Sequence, residues 1–140
     1  MTETPYHPWR ELRGMPHIDV QWVDLPDGYL ALSDEDTIWM ERRQRQAQRR
    51  STLAHELEHR RQGHVGCQPP AIEAQVEEAA ARRLIPLAAL AEAIVWSMSH
   101  EELSLELWVD LGMVHTRLRT LSRDEQAYID DVIARREEAL

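Results

Sequence analysis

From Arg42 to Gln62 the chain carries neither proline nor glycine and is built mainly from Arg, Gln, Ala, Leu and Glu, all strong helix formers. A helix of about five turns is the only regular element this stretch suits, and Gly63 is its natural stop. That one long helix divides the sequence. Ahead of it lie strand and turn signals; behind it, helix signals alone. Ile18, Val20 and Trp22 alternate with Asp19 and Gln21, the period of a half-buried strand. Tyr29-Leu30-Ala31-Leu32 and Thr37-Ile38-Trp39-Met40 are two more strand candidates, and Pro26-Asp27-Gly28 supplies a turn. The expectation is a small antiparallel meander.

Beyond Gly63, Pro69-Pro70 prepares a second helix from Ala71 to Ile85, and Pro86 opens a third from Leu87 to Ser97. Ser99-His100-Glu101-Glu102 and Ser122-Arg123-Asp124-Glu125 both fit the capping box, in which the first and fourth residues cap each other's backbone N–H. The tail is amphipathic through Tyr128, Ile129, Val132 and Ile133. The predicted fold class is therefore α+β, mostly α: a small N-terminal antiparallel sheet packed on a helical core, with extra C-terminal helices. At 140 residues there is room for one hydrophobic core. Residues 1–98 are read as the core and 99–140 as a helical extension of the same domain.

Sixteen basic against 25 acidic side chains leave a net charge of −9, which disfavours direct nucleic-acid binding and adhesion to anionic membranes. The single cysteine, Cys67, excludes an internal disulfide. The N-terminus has no basic and apolar leader pattern, and the apolar stretch near Leu84–Val95 is broken by Pro86 and Glu92. A cytoplasmic chain with no membrane partner is expected.

Within the long helix stands His55-Glu56-Leu57-Glu58-His59. Residues four apart share a helix face, roughly 6 Å apart between Cβ atoms, so both imidazoles can share one Zn²⁺ with bonds of about 2.0–2.1 Å. Glu56 lies beside that face, placed to act as a general base without ligating the ion. A catalytic zinc needs a third protein ligand. His64 is at +9 from His55 and Gly63 at +8, whereas the pattern with a third histidine needs +10 and +7, so that spacing fails. The next helix offers Glu73, Glu77 and Glu78; position favours Glu73, Glu77 follows one turn later, and Glu78 reads as solvated.

These residues resemble the ImmA/IrrE-type metallo-endopeptidases, whose members carry T-L-A-H-E-x-x-H followed by a helix of the form E-x-[EQ]-A-[ND]-x-x-A-x-x-L-[LI]-x-P. Here the first motif is Thr52-Leu53-Ala54-His55-Glu56-Leu57-Glu58-His59, and the second is met by Glu73, Gln75, Ala80, Leu84 and Pro86. Val76 and Glu77 depart from it, as does Arg83. The resemblance spans about Ile18–Pro86. It implies a zincin-like core, zinc held by His55, His59 and Glu73, and Glu56 as catalytic base. It also implies a protein substrate, a helix-turn-helix repressor of a phage, mobile element or stress regulon. The alternative is a metal-stabilised regulator that binds a repressor or DNA without cleaving it.

Three further features stand out. The run Arg42, Arg43, Arg45, Arg49 and Arg50 reads first as the solvated face of the long helix, and otherwise as a patch for an acidic partner or a nucleic-acid backbone. Residues 101–118 have a loose helix-turn-helix rhythm, with Arg117 and Arg119 its only strong phosphate or base contacts, so packing or partner docking is favoured over DNA reading. The five tryptophans are expected to supply core bulk in a chain without phenylalanine.

Overall fold

The computed structural model describes residues 5–139. Three strands, β1 (Asp19–Val23), β2 (Ala31–Ser33) and β3 (Thr37–Glu41), follow a short helix α1 (Pro8–Arg13), and six more helices complete the chain. These are α2 (Gln46–Arg61), α3 (Pro70–Leu84), α4 (Leu87–Trp96), α5 (His100–Leu107), α6 (Leu111–Arg119) and α7 (Arg123–Ala139). The α+β, mostly helical class holds.

The sheet is mixed, which corrects the antiparallel meander. Its order is β1-β3-β2, with β3 antiparallel to β2 and parallel to β1 in the register Asp19↔Thr37 through Val23↔Glu41. The reason lies in the connection after β1. The chain swings past the end of β3 and returns along its far side, pinned as it passes: Leu25 N–H donates to the buried Glu41 carboxylate at 2.6 Å, and Arg42 N–H donates to the Val23 carbonyl. Gly28 takes the positive φ of 90° that this turn requires. Between β2 and β3, Asp34 Oδ1 accepts from the Asp36 and Thr37 backbone N–H groups, so that connection is a tight hairpin. Alternation identified the strands but carries no information about which neighbour each one takes.

Helix α2 starts at Gln46, four residues later than its composition suggests, because Gln44 is used elsewhere. The Gln44 amide donates to the carbonyls of Leu30 and Glu41 and accepts from Thr52 Oγ1, fixing the strand-to-helix corner. Leu53 and Leu57 pack with Ile38 and Met40 of the central strand under the sheet. Ala54, on another stripe, joins a second cluster with Ala80, Leu84, Leu90, Val114 and Ile129. That cluster contains residues from both sides of position 99, so the C-terminal helices share the core of the earlier ones. The second capping box forms in full, Ser122 Oγ accepting from Glu125 N–H while the Glu125 carboxylate accepts from Ser122 N–H; in the first, Ser99 Oγ accepts from Glu102 N–H, but the Glu102 carboxylate accepts from Met98 N–H rather than from Ser99.

One side-chain expectation is corrected and another refined. Trp22, Trp96 and Trp108 are exposed: the fully buried members of both clusters are aliphatic residues and methionines, and Trp9 alone of the tryptophans packs against them. The arginine run is solvated in part, with Arg42, Arg43 and Arg45 exposed, but most of its members are engaged within the chain. Arg42 pairs with Asp24, Arg43 with Glu41, Arg49 stacks over Trp22 at 4.7 Å, and Arg50 donates to the carbonyls of Tyr6 and Trp108. Glu41 apart, these partners come from distant segments, which sequence reading could not supply.

Candidate metal centre

His55 and His59 project from α2 into a cleft of about 410 Å³, walled by β2, by the loop around Cys67, by α3 and by the start of α6. Their rings meet edge to face with centroids 4.8 Å apart. Glu73, in the first turn of α3, reaches between them. One oxygen, Oε2, lies 3.0 Å from His55 Nε2 and 2.9 Å from His59 Nε2. The other, Oε1, accepts from Gln68 N–H at 3.2 Å. The eight-residue connection, residues 62–69, turns α3 back so that its first carboxylate faces the histidines.

Three ligand atoms bound to one ion at 2.0–2.1 Å with tetrahedral angles sit about 3.3 Å apart. Here all three donors lie within 4.8 Å of one another, and the two closest separations are a few tenths of an ångström short of that figure. Two imidazoles and a carboxylate can therefore hold a metal ion at this point. The set suits zinc, and equally other divalent ions that accept nitrogen and oxygen.

The surroundings hold the ligands in place. Glu77, one turn after Glu73, lies 2.5 Å from His55 Nδ1. It is neither a ligand nor a solvated acid but the partner that fixes the ring's orientation and leaves Nε2 for the ion. The sequence placed Glu77 one turn behind Glu73, but which side of the histidine it would reach was not readable. His64 Nδ1 is 3.1 Å from His59 Nδ1. It therefore sits behind His59, on the side away from Glu73, and does not join the ligand set. Cys67 lines the same cleft and is exposed. Burial alone depresses the His55 imidazolium, but the bonds to Glu77 and Glu73 and the charges of Glu77 and Glu56 outweigh it and raise its pKa to about 9. For Glu73, burial pushes the pKa up, and the Gln68 N–H with the two histidines more than reverses this.

Glu56, next to His55, also lines the cleft. Its Oε2 accepts from Ser33 Oγ at 3.0 Å, so the last residue of β2 fixes the carboxylate. Of the other histidines, His100 and His115 approach to 5.2 Å between ring centroids, but neither lines the cleft. Arg117, taken as a phosphate or base contact, is 2% exposed and turned inward, with Nε donating to the Ile85 carbonyl and Nη2 to Glu125. That leaves α6 with Arg119 alone facing outward. No described helix is long and apolar enough to cross a membrane.

Compared with protein-family models, with curated proteins and with solved structures, the chain matches none.

Proposed function

We propose that the chain is a cytoplasmic zinc-dependent endopeptidase whose substrate is a protein, a helix-turn-helix repressor being the first to try. The observation that carries this reading is the placing of Glu56. A carboxylate one residue from a ligand lines the ligands' own cleft and is fixed from the opposite wall by Ser33. A purely structural metal site has no use for such a group. His55, His59 and Glu73 would hold the ion and leave the cleft side open. Bound there, zinc supplies Lewis acidity toward a peptide carbonyl and toward water. Glu56 Oε2 is engaged by Ser33, so Oε1 is the atom that takes a proton from the attacking water and returns it to the departing amine nitrogen. Glu77 keeps the His55 ring in its ligating orientation.

The test is co-incubation of the zinc-loaded chain with a candidate repressor, followed by mass spectrometry of the fragments. Glu56→Gln should retain zinc and lose cleavage by about 10²–10⁴-fold. Cleavage that persists in Glu56→Gln, or full zinc loading after His55→Ala with His59→Ala, overturns the reading.

A further inference from the structure

The C-terminal helices do more than complete the core, because the junction between α5 and α6 forms one wall of the metal cleft through Asp110 and Met113. This junction is held with unusual care. Trp108 ends α5 in the left-handed conformation, at φ 56°, the only described non-glycine residue to do so, and a bulky side chain adopts that region only when its surroundings enforce it. Here they do. Arg50 donates to the Trp108 carbonyl at 3.1 Å, and two residues later Asp110 N–H donates to Ser51 Oγ at 3.0 Å. Both anchors come from α2, one turn ahead of His55, so Asp110 and the metal ligands are positioned by the same helix.

Asp110 caps α6 with a single oxygen: Oδ1 accepts from Met113 N–H at 2.8 Å. Among the described residues, Oδ2 has no hydrogen-bond partner, and the side chain is only half-buried, on the cleft wall. The cleft is lined by four carboxylates, Glu56, Glu73, Glu77 and Asp110, and by no arginine, although the chain has sixteen basic residues. A divalent ion offsets two of those charges. Glu73 is spent as a ligand, Glu77 on His55, and Glu56 on Ser33 and the reaction. Glu77 and Glu56 also keep one oxygen free, but of the four only Asp110 is tied to neither the histidines nor the reaction, and its one task within the protein is its cap. Burial and the nearby Glu77 charge raise its pKa and outweigh the opposing Met113 N–H and His55 charge.

We infer that Asp110 is a specificity-determining residue of this cleft and that the substrate side chain it selects is cationic, an arginine or lysine beside the scissile bond. This rests on the endopeptidase reading for its substrate class, and two separate arms keep the two apart. In the first, affinities of the zinc-loaded chain for arginine hydroxamate and norleucine hydroxamate are compared by calorimetry. Both probes can anchor on the metal, and they differ in side-chain charge. Wild type should prefer arginine by at least about 10-fold, and Asp110→Asn should reduce the preference below about 3-fold. Asparagine caps helices as well as aspartate does, so the variant keeps its fold, which unchanged thermal unfolding confirms. Equal affinities in wild type, failure of both probes to bind, or an undiminished preference in Asp110→Asn overturns the inference. In the second arm, a peptide library made by cleavage after glutamate is digested, and the cut sites are read by mass spectrometry. Cuts without enrichment of basic residues refute the role of Asp110 and leave the endopeptidase standing. Absence of cuts beside a retained arginine preference refutes the endopeptidase and leaves the subsite.

Discussion

If the two histidines and Glu73 grip one ion, zinc must stabilise the folded chain by an amount that falls in a fixed order as the grip is dismantled. A ligand that binds only the native state adds RT ln(1 + [L]/Kd), about 4 kcal/mol at a free concentration 1,000 times Kd. For 140 residues the unfolding entropy is roughly 0.3 kcal/mol/K, so wild type should gain about 14 °C on adding zinc. Removing even an outer partner of a metal ligand weakens binding by about 10–100-fold. Glu77→Ala, which frees His55 Nδ1, should therefore keep about 5–9 °C of the shift. Glu73→Ala removes a direct ligand, so about 5 °C is its upper limit. His55→Ala with His59→Ala leaves one donor and should show almost none. The assay is thermal unfolding of chelator-treated protein with and without zinc at one buffered free concentration. Each shift is taken within a variant, so changes in metal-free stability cancel. A double-histidine variant that shifts as far as wild type would refute the assignment of these donors.

Three other perturbations probe the scaffold. Arg117→Met breaks the bonds from α6 to the Ile85 carbonyl and Glu125 and should cost about 2–3 kcal/mol in urea unfolding; a loss below 0.5 kcal/mol would return Arg117 to the surface. Leu57→Ala opens a cavity between α2 and the sheet, where Leu57 is 1% exposed, and should cost about 2–5 kcal/mol, with zinc affinity little changed if the site is set by backbone rather than by this contact. Glu125 is held down to about 2 by Arg82, the Ser122 N–H and Arg117, against an ordinary value of 4.5. Its contribution is thus present above pH 4.5 and fades as pH falls toward 2, so the stability gap between wild type and Glu125→Gln should narrow over that range. A gap constant with pH would show that the carboxylate's charge is not what matters.

What the sequence made legible was local. Proline and glycine punctuation marked α2, α3 and α4 to within a few residues, Ser99 and Ser122 announced the helices they cap, and His55 and His59 needed only the helical repeat to share a face. Glu73 was nearly local, since a short connection leaves a following helix few ways to pack. The rest depended on segments far apart in the chain. Nothing near β1 shows that it pairs parallel with β3 rather than with β2. The hydroxyl of Ser33 meets Glu56 across 23 positions. Arg50 and Ser51 hold a turn nearly sixty residues further on. Helix α1 was missed because six residues carry too few turns for periodicity to register.

The composition of α2 explains why its burial was hard to foresee and how the cleft arises. Its residues are mostly charged or amide-bearing, yet Ser51 through Ala54 and Glu56 through His59 are all buried. Burying such groups is tolerated only where each finds a partner, and here each does. Glu58 is paired with Arg61 and Arg83, Thr52 with Gln44, and Ser51 with Asp110. Successive i, i+4 stripes then face different neighbours. Leu53 and Leu57 meet the sheet, Ala54 and Glu58 meet the helical side, and His55 and His59 fall on the stripe between them that lines the cleft and meets Glu73. A helix held on two flanks can leave its third stripe polar and open without losing its place. That rigidity holds the two imidazoles within reach of one shared ion.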